Sequence, residues 1–302
     1  MKQLLPSLAS ELRDEQAVVV ATLVSATGAS SKKVGARMYV GASGRLIGGV
    51  TIGGCVDARV IEAADALIES GGRKLLAISL DDDEAMEIGL TCGGTVEVLI
   101  ERARVDDPSD PVLASHERAL AQLEAGEVAE LPVALGDGRT FVDRMAPPTT
   151  LLIVGAGEIA TFITRMARDL DMRTVVIDGR DRYATRERFP HADELRVGMP
   201  SEIVAGYPAN AQTAAILVAH DYKYELPVLR ALLRSDVGYL GMLGSKKRGA
   251  AVRELLKDEG FTEAELARVR TPIGLDLGGK APAEVALSIL AEVVAVRSGK
   301  RV

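Results

Sequence analysis

The chain has 302 residues, 47% hydrophobic and 26% charged, ordinary values for a globular protein that leave no room for long disordered tracts. At roughly 100–200 residues per domain, two domains are expected. A formal charge of −7, no tryptophan, four Phe and six Tyr are wrong for a general phosphate-backbone binder or a base-stacking platform, so nucleic acid is not an expected partner.

The opening segment, Met1 to Gln16, has a short apolar patch broken by Pro6 and by charges, and so lacks the apolar core of a secretion signal. No run reaches the roughly 18 apolar residues of a membrane span. Both observations predict a cytoplasmic protein. Ala17 to Thr27 and Ala36 to Val40 read as strands, with a turn at Gly41-Ala-Ser-Gly44 leading to Arg45-Leu-Ile-Gly-Gly-Val50, a pattern that predicts a β-meander. From Asp57 to Glu69, Val60, Ile61, Ala64, Leu67 and Ile68 recur at helical spacing, and Gly71-Gly72 stops the helix. Strands are expected over 74–80 and 95–101, an amphipathic helix over 111–123 with His116 on its exposed side, and short strands near Val133 and Phe141. The first half is therefore α+β.

Two prolines in Met145-Ala-Pro-Pro-Thr-Thr150 mark the junction, placing one domain at 1–145, a linker at 146–150 and a second domain at 151–302. Beyond it the order becomes strand, glycine turn, helix, strand. Strands are expected at 151–154, 174–177, 214–219 and 237–243. Helices are expected at 159–170, 225–233, 250–258, 263–269 and 283–297. This is the pattern of a Rossmann-type, doubly wound parallel sheet, so the whole chain is classed as α/β.

Gly155-Ala-Gly157-Glu-Ile-Ala160 follows a strand and opens a helix, the context a dinucleotide fingerprint requires. Gly155 permits the tight turn and Gly157 lets backbone approach a pyrophosphate. Asp178, at the end of the next strand, is placed to hydrogen-bond a ribose, which favours NAD, while Arg180 could accept the 2′-phosphate of NADP. His220, after the strand ending at Ala219, is the histidine best placed for proton transfer at the carboxyl edge of the sheet; His191 lies in a polar loop. Gly244-Ser-Lys-Lys-Arg248 opens a helix, where Ser245, Lys246, Lys247 and Arg248 could converge on phosphate. Asp276, Gly278-Gly279 and Lys280 form a second glycine-rich helix start with a lysine.

The two cysteines are too few for a disulfide scaffold or a structural zinc site, so their value lies in reactivity. Gly53-Gly54-Cys55 sets a thiol just before the helix expected from Asp57, whose positive end favours thiolate. Cys92, followed by Gly93 and Gly94, sits in a loop whose small residues would give a substrate or metal close access.

These segments carry a resemblance. Gly53 to Ala64 resembles the Gly-Gly-Cys-Val-Glu segment of the XdhC/CoxI family, and Leu90 to Glu101 its Cys-Gly-Gly-x-Val-Glu segment. Gly238 to Arg248 and Pro272 to Glu292 resemble its C-terminal signatures. Asp57 stands where the family segment has Glu, and Glu158 where the family's glycine turn often has His. The resemblance covers nearly the whole chain. It implies an N-terminal XdhC/CoxI domain, a C-terminal Rossmann domain and a homodimer. It also implies binding of molybdenum cofactor (molybdopterin), its sulfuration with a cysteine desulfurase, and delivery to an apo-molybdenum hydroxylase such as xanthine dehydrogenase. Cys55, and with it Cys92, would then lie beside the metal and dithiolene, with Lys246, Lys247, Arg248 and Lys280 on the anionic groups. That describes a cofactor-binding chaperone more than a turnover enzyme. The alternative is an NAD(P)-dependent oxidoreductase of a small substrate, with Gly155, Gly157 and Asp178 on the dinucleotide and His220 as the proton-transfer group.

Overall fold

A computed structural model describes residues 4–28, 33–50, 55–79, 94–219 and 222–300. The chain separates into two compact units, Met1–Pro147 and Pro148–Val302. Among the described residues, the first unit holds a five-stranded antiparallel sheet. Its strands are β1 (Ala17–Gly28), β2 (Arg37–Gly41), β3 (Leu46–Gly48), β4 (Arg73–Ser79) and β5 (Gly94–Arg104), in spatial order β3-β2-β1-β5-β4. The meander expected for the first three strands is present. Central β1 opens on an apolar run, Ala17 to Ala21, because both of its faces are covered. Val19, Ala21 and Leu23 pack against Val56, Val60 and Ala64 of helix α1 (Cys55–Ser70). Val18 and Val20 on the other face meet Leu5, Leu8 and Leu12.

Helix α2 (Pro111–Glu124) is started by Asp110, whose side chain accepts from the Val112 and Leu113 amides, with Pro111 in the first turn. It covers a hairpin of β6 (Ala129–Ala134) and β7 (Thr140–Met145). The expectation that His116 faces solvent is corrected: it is 3% exposed and lies on the core face with Leu113, Ala119 and Leu123. Its Nδ1 accepts the Leu5 N–H at 3.1 Å. That bond lets an imidazole occupy an apolar face, provided it stays neutral.

The second unit is built on a six-stranded parallel sheet among the described residues. It comprises β8 (Thr150–Val154), β9 (Arg173–Asp178), β10 (Glu194–Val197), β11 (Thr213–Leu217), β12 (Tyr239–Met242) and β13 (Val269–Arg270). The spatial order, β10-β9-β8-β11-β12-β13, is the doubly wound Rossmann order. Leu151 and Ile153 of β8 point into a core shared with α3 (Glu158–Asp169) and α8 (Pro282–Arg297). Leu152 and Val154 point into a second core with α5 (Tyr222–Leu233) and α6 (Lys246–Asp258). Helices α4 (Pro200–Ala205) and α7 (Glu263–Leu266) are short connectors.

Several boundaries move. The helix expected over 263–269 ends at Leu266, because Val269 and Arg270 pair with β12. The helix expected from Ala250 begins at Lys246, where Ser245 accepts the Arg248 amide and caps it. β10 has no counterpart among the expected strands: it is a four-residue, half-exposed edge strand with two charged residues, too short and too polar to show a period.

Candidate functional site

In the first unit the expectation that Cys55 precedes its helix is corrected: α1 begins at Cys55 itself. Asp57 lies in the first turn, and its Oδ1 accepts the Val50 N–H at 3.1 Å, tying the helix start to the preceding segment. Gly53, Gly54, Cys92 and Gly93 lie outside the described residues, as does His220. Gly94 opens β5 and pairs with Gly28.

In the second unit the glycine turn lies between β8 and α3, at the switch point where the strand order reverses. Gly155 has φ +112°, and a Cβ there would stand 2.7 Å from the Ala219 backbone nitrogen, so the turn closes this tightly only with glycine. Gly157 differs. It caps the start of α3 with an ordinary φ of −78°, and among the described residues a Cβ on it would meet nothing within 4 Å. The described residues therefore leave that space open. Arg188 braces the turn from outside, donating from Nη1 to the Ala156 and Tyr183 carbonyls at 3.1 and 2.7 Å.

Beside the turn is a cavity of ≈ 260 Å³ at the carboxyl ends of β8, β9 and β11, lined by Gly155, Asp178, Gly179, Arg180, Pro200 and Tyr224 among others. Asp178 is 5% exposed. Its Oδ2 accepts the Ala156 N–H at 2.7 Å and Arg180 Nη2 at 2.7 Å. Its Oδ1 accepts the Arg180 N–H at 2.9 Å and Nε at 2.8 Å. Burial pushes the carboxyl pKa up, but the Arg180 side chain and the two amides outweigh it and hold the group below the usual aspartate range. The Arg180 guanidinium also lies 3.8 Å from the Tyr183 ring centroid.

The two basic turns are partly committed to internal contacts. Lys246 and Lys247 are exposed, whereas Arg248 is ion-paired with Glu225, which is 0% exposed. In the other turn the Gly278 N–H goes to Asp276 Oδ1 at 3.2 Å, and the Lys280 and Ala281 N–H groups go to Glu284 Oε2 at 3.0 Å each. The Lys280 side chain is exposed, but these three backbone amides are already taken, and a Cβ on Gly279 would collide with Glu284. Sequence reasoning placed Glu225 only at a helix start, and assigned neither it nor Glu284 a part in these turns. The spacing of Glu284, three residues after Ala281 at the helix start, is the signal that could have found the second.

No group of three or more metal-ligating side chains occurs among the described residues. In the second unit, the cavity that Arg180 lines and the space beside Gly157, unfilled by the described residues, are of a kind to take the phosphate-bearing part of a pterin. These features suit binding of the molybdenum cofactor.

A doubly wound sheet with a glycine turn and a cavity at its switch point, following a unit with a cysteine at a helix start, defines a two-unit α/β protein of the cofactor-handling class. The XdhC Rossmann-domain model matches residues 151–293 and the XdhC and CoxI family model matches residues 11–79. The chain belongs to the XdhC/CoxI family. It is 30% identical over 295 residues to the molybdenum cofactor insertion chaperone PaoD of Escherichia coli (strain K12), covering 95% of this chain and 85% of that one. It is 27% identical over 321 residues to a Bacillus subtilis (strain 168) protein that carries the name of a probable xanthine dehydrogenase component, covering 95% of both. A crystal structure described as a xanthine dehydrogenase from Bacillus halodurans superposes with a TM-score of 0.81 at 23% identity, over 98% of this chain and 96% of that one. That likeness shows the fold.

Proposed function

We propose that this protein is a maturation factor for a molybdenum hydroxylase: it binds the molybdenum cofactor and delivers it to the apoenzyme. The observation that carries this reading is the 30% identity to a cofactor insertion chaperone along 95% of the chain. The structure contributes the donor types. The Cys55 thiol at the start of α1 suits the soft metal and dithiolene end. Exposed Lys246, Lys247 and Lys280 and the cavity-lining Arg180 suit the anionic groups. The cofactor supplies the hydroxylase's redox chemistry; this chain's own residues bind, orient and release it.

The finer reading adds a cysteine desulfurase as sulfur donor, Cys55 with Cys92 at the sulfuration end, a homodimer, and a cytoplasmic location. Among the described residues no helix is long and apolar enough to cross a membrane.

Native mass spectrometry of protein purified from a cofactor-producing host tests the reading. Wild type is expected to retain or take up the pterin, and Cys55→Ser and Cys92→Ser to lose it together with the ability to activate the apo-hydroxylase. If both variants bind and activate normally, the assignment of the cysteines fails.

The glycine turn and strand order also favour a second reading, an NAD(P)-dependent oxidoreductase with His220 as its proton-transfer group. Such an enzyme would turn over a small substrate with a stoichiometric change in nicotinamide absorbance; a maturation factor would not.

A further inference from the structure

The glycine turn and its cavity are not used by the cysteine chemistry of the first unit. A dinucleotide cleft recognises ribose by leaving carboxylate oxygens open to the sugar hydroxyls. Asp178 leaves none open. Its two oxygens already accept four hydrogen bonds at 2.7–2.9 Å, which fill the roughly four lone-pair sites of an ionised carboxylate. A ribose could enter only by displacing the Ala156 amide or the guanidinium.

The same bonds fix Arg180. Its N–H, Nε and Nη2 face Asp178 and its guanidinium lies over Tyr183. Its Nη1 makes no hydrogen bond among the described residues, although the side chain remains 52% exposed and lines the cavity. Guanidinium is charged at any physiological pH, and its remaining N–H pair matches phosphate oxygens. The other lining residues are Val154, Gly155, Gly179, Pro200, Ala219 and Tyr224, so nothing else charged competes among the described residues. At ≈ 260 Å³ the cavity has room for the phosphate-bearing end of a ligand.

We propose that this cleft recognises a terminal phosphomonoester, with Arg180 as the specificity-determining residue and Asp178 as a positioning residue that holds the guanidinium instead of a ribose. Two ligands carry that group: a pterin with a free phosphate tail and a 2′-phosphorylated nucleotide. The choice of the pterin rests on the maturation reading; the recognition of phosphate does not.

Calorimetric titration of the full-length chain, purified from a host lacking the pterin, tests the proposal. The probes are NADP⁺, NAD⁺, molybdopterin bearing its phosphate, and the same pterin after phosphatase treatment. The phosphorylated member of at least one pair is expected to bind at least tenfold tighter than its unphosphorylated partner. Arg180→Ala should abolish that preference, Arg180→Lys should restore part of it, and Asp178→Ala should weaken phosphate binding severalfold by freeing the guanidinium. Equal binding within both pairs, no binding of either phosphorylated probe, or a preference untouched by Arg180→Ala overturns the proposal. Pterin binding lost in Cys55→Ser but unchanged in Arg180→Ala would leave the maturation reading standing and remove this one. A phosphate preference for NADP⁺ without any pterin binding would do the reverse.

Discussion

Each unit contains a buried aspartate joined to an arginine, and the two pairs serve different ends. In the first unit Arg37 of β2 and Asp143 of β7 meet at 2.8 Å, with side chains 1% and 11% exposed, and the pair ties the sheet to the hairpin. In the second unit Asp178 is as deep, but Arg180 is half in solvent beside a cavity. Chemistry is common to both and access is not. A charge pair becomes a candidate for recognition when one member keeps donors facing space a ligand can enter; sealed on both sides, it is architecture.

The largest effect should come from breaking the sealed pair. Arg37→Ala leaves Asp143 charged and buried, a change that typically costs about 3–5 kcal/mol. The denaturant midpoint of the full chain should drop sharply, and Arg37→Met with Asp143→Leu should recover much of the loss. A small effect of Arg37→Ala would mean the pair is not sealed.

Acid should act next, through His116. Burial, reinforced by the Arg37 charge, lowers its pKa from 6.5 to about 3. The unfolded chain therefore binds a proton that the folded chain refuses between those values. Stability should fall as pH drops through that window, by up to ~1.4 kcal/mol per pH unit from this group. His116→Leu should flatten that limb while weakening the protein at neutral pH, because the Leu5 N–H loses its acceptor. Asp178 has the carboxylate sign: its contribution is complete above the normal aspartate pKa and is lost only as pH falls through its lowered value.

The two glycines of the turn sharpen the comparison on a smaller scale. Gly155→Ala forces a Cβ against the Ala219 backbone at φ +112°, strain of about 1–3 kcal/mol. Gly157→Ala meets nothing within 4 Å among the described residues and should leave the melting temperature nearly unchanged while weakening whatever ligand approaches the turn. Arg180→Ala should cost far less than Arg37→Ala, about 1 kcal/mol, because solvent screens the half-exposed guanidinium and the Ala156 and residue-180 amides still bond Asp178. A loss as large as that of Arg37→Ala would erase the distinction between the pairs.

Much of the second unit was legible in the sequence. Its central strands β8 and β11 are covered on both faces and so read as apolar runs, while Gly155, Gly157 and Asp178 fall at the offsets the fold requires. Hidden from it were β10 and β13, short edge strands defined by pairing with neighbours and not by any period of their own. The burial of His116 was half visible: its spacing from Leu113 puts it on the apolar face, and its polarity argued the other way. The cysteine segments were legible as motifs.

The amino-acid order alone determined the α/β class, the strand and helix succession and the family signatures, because these follow from local periodicity, turn residues and short motifs. Tertiary structure decided which charges are committed. Arg248 reads as an anion-binding residue until Glu225, 23 positions earlier, comes to pair with it. Asp178 reads as a ribose ligand until an amide 22 positions earlier and its own neighbour's guanidinium occupy its oxygens. A side chain's type sets what it can bind, but the groups folding brings within roughly 3 Å set what remains free to do so.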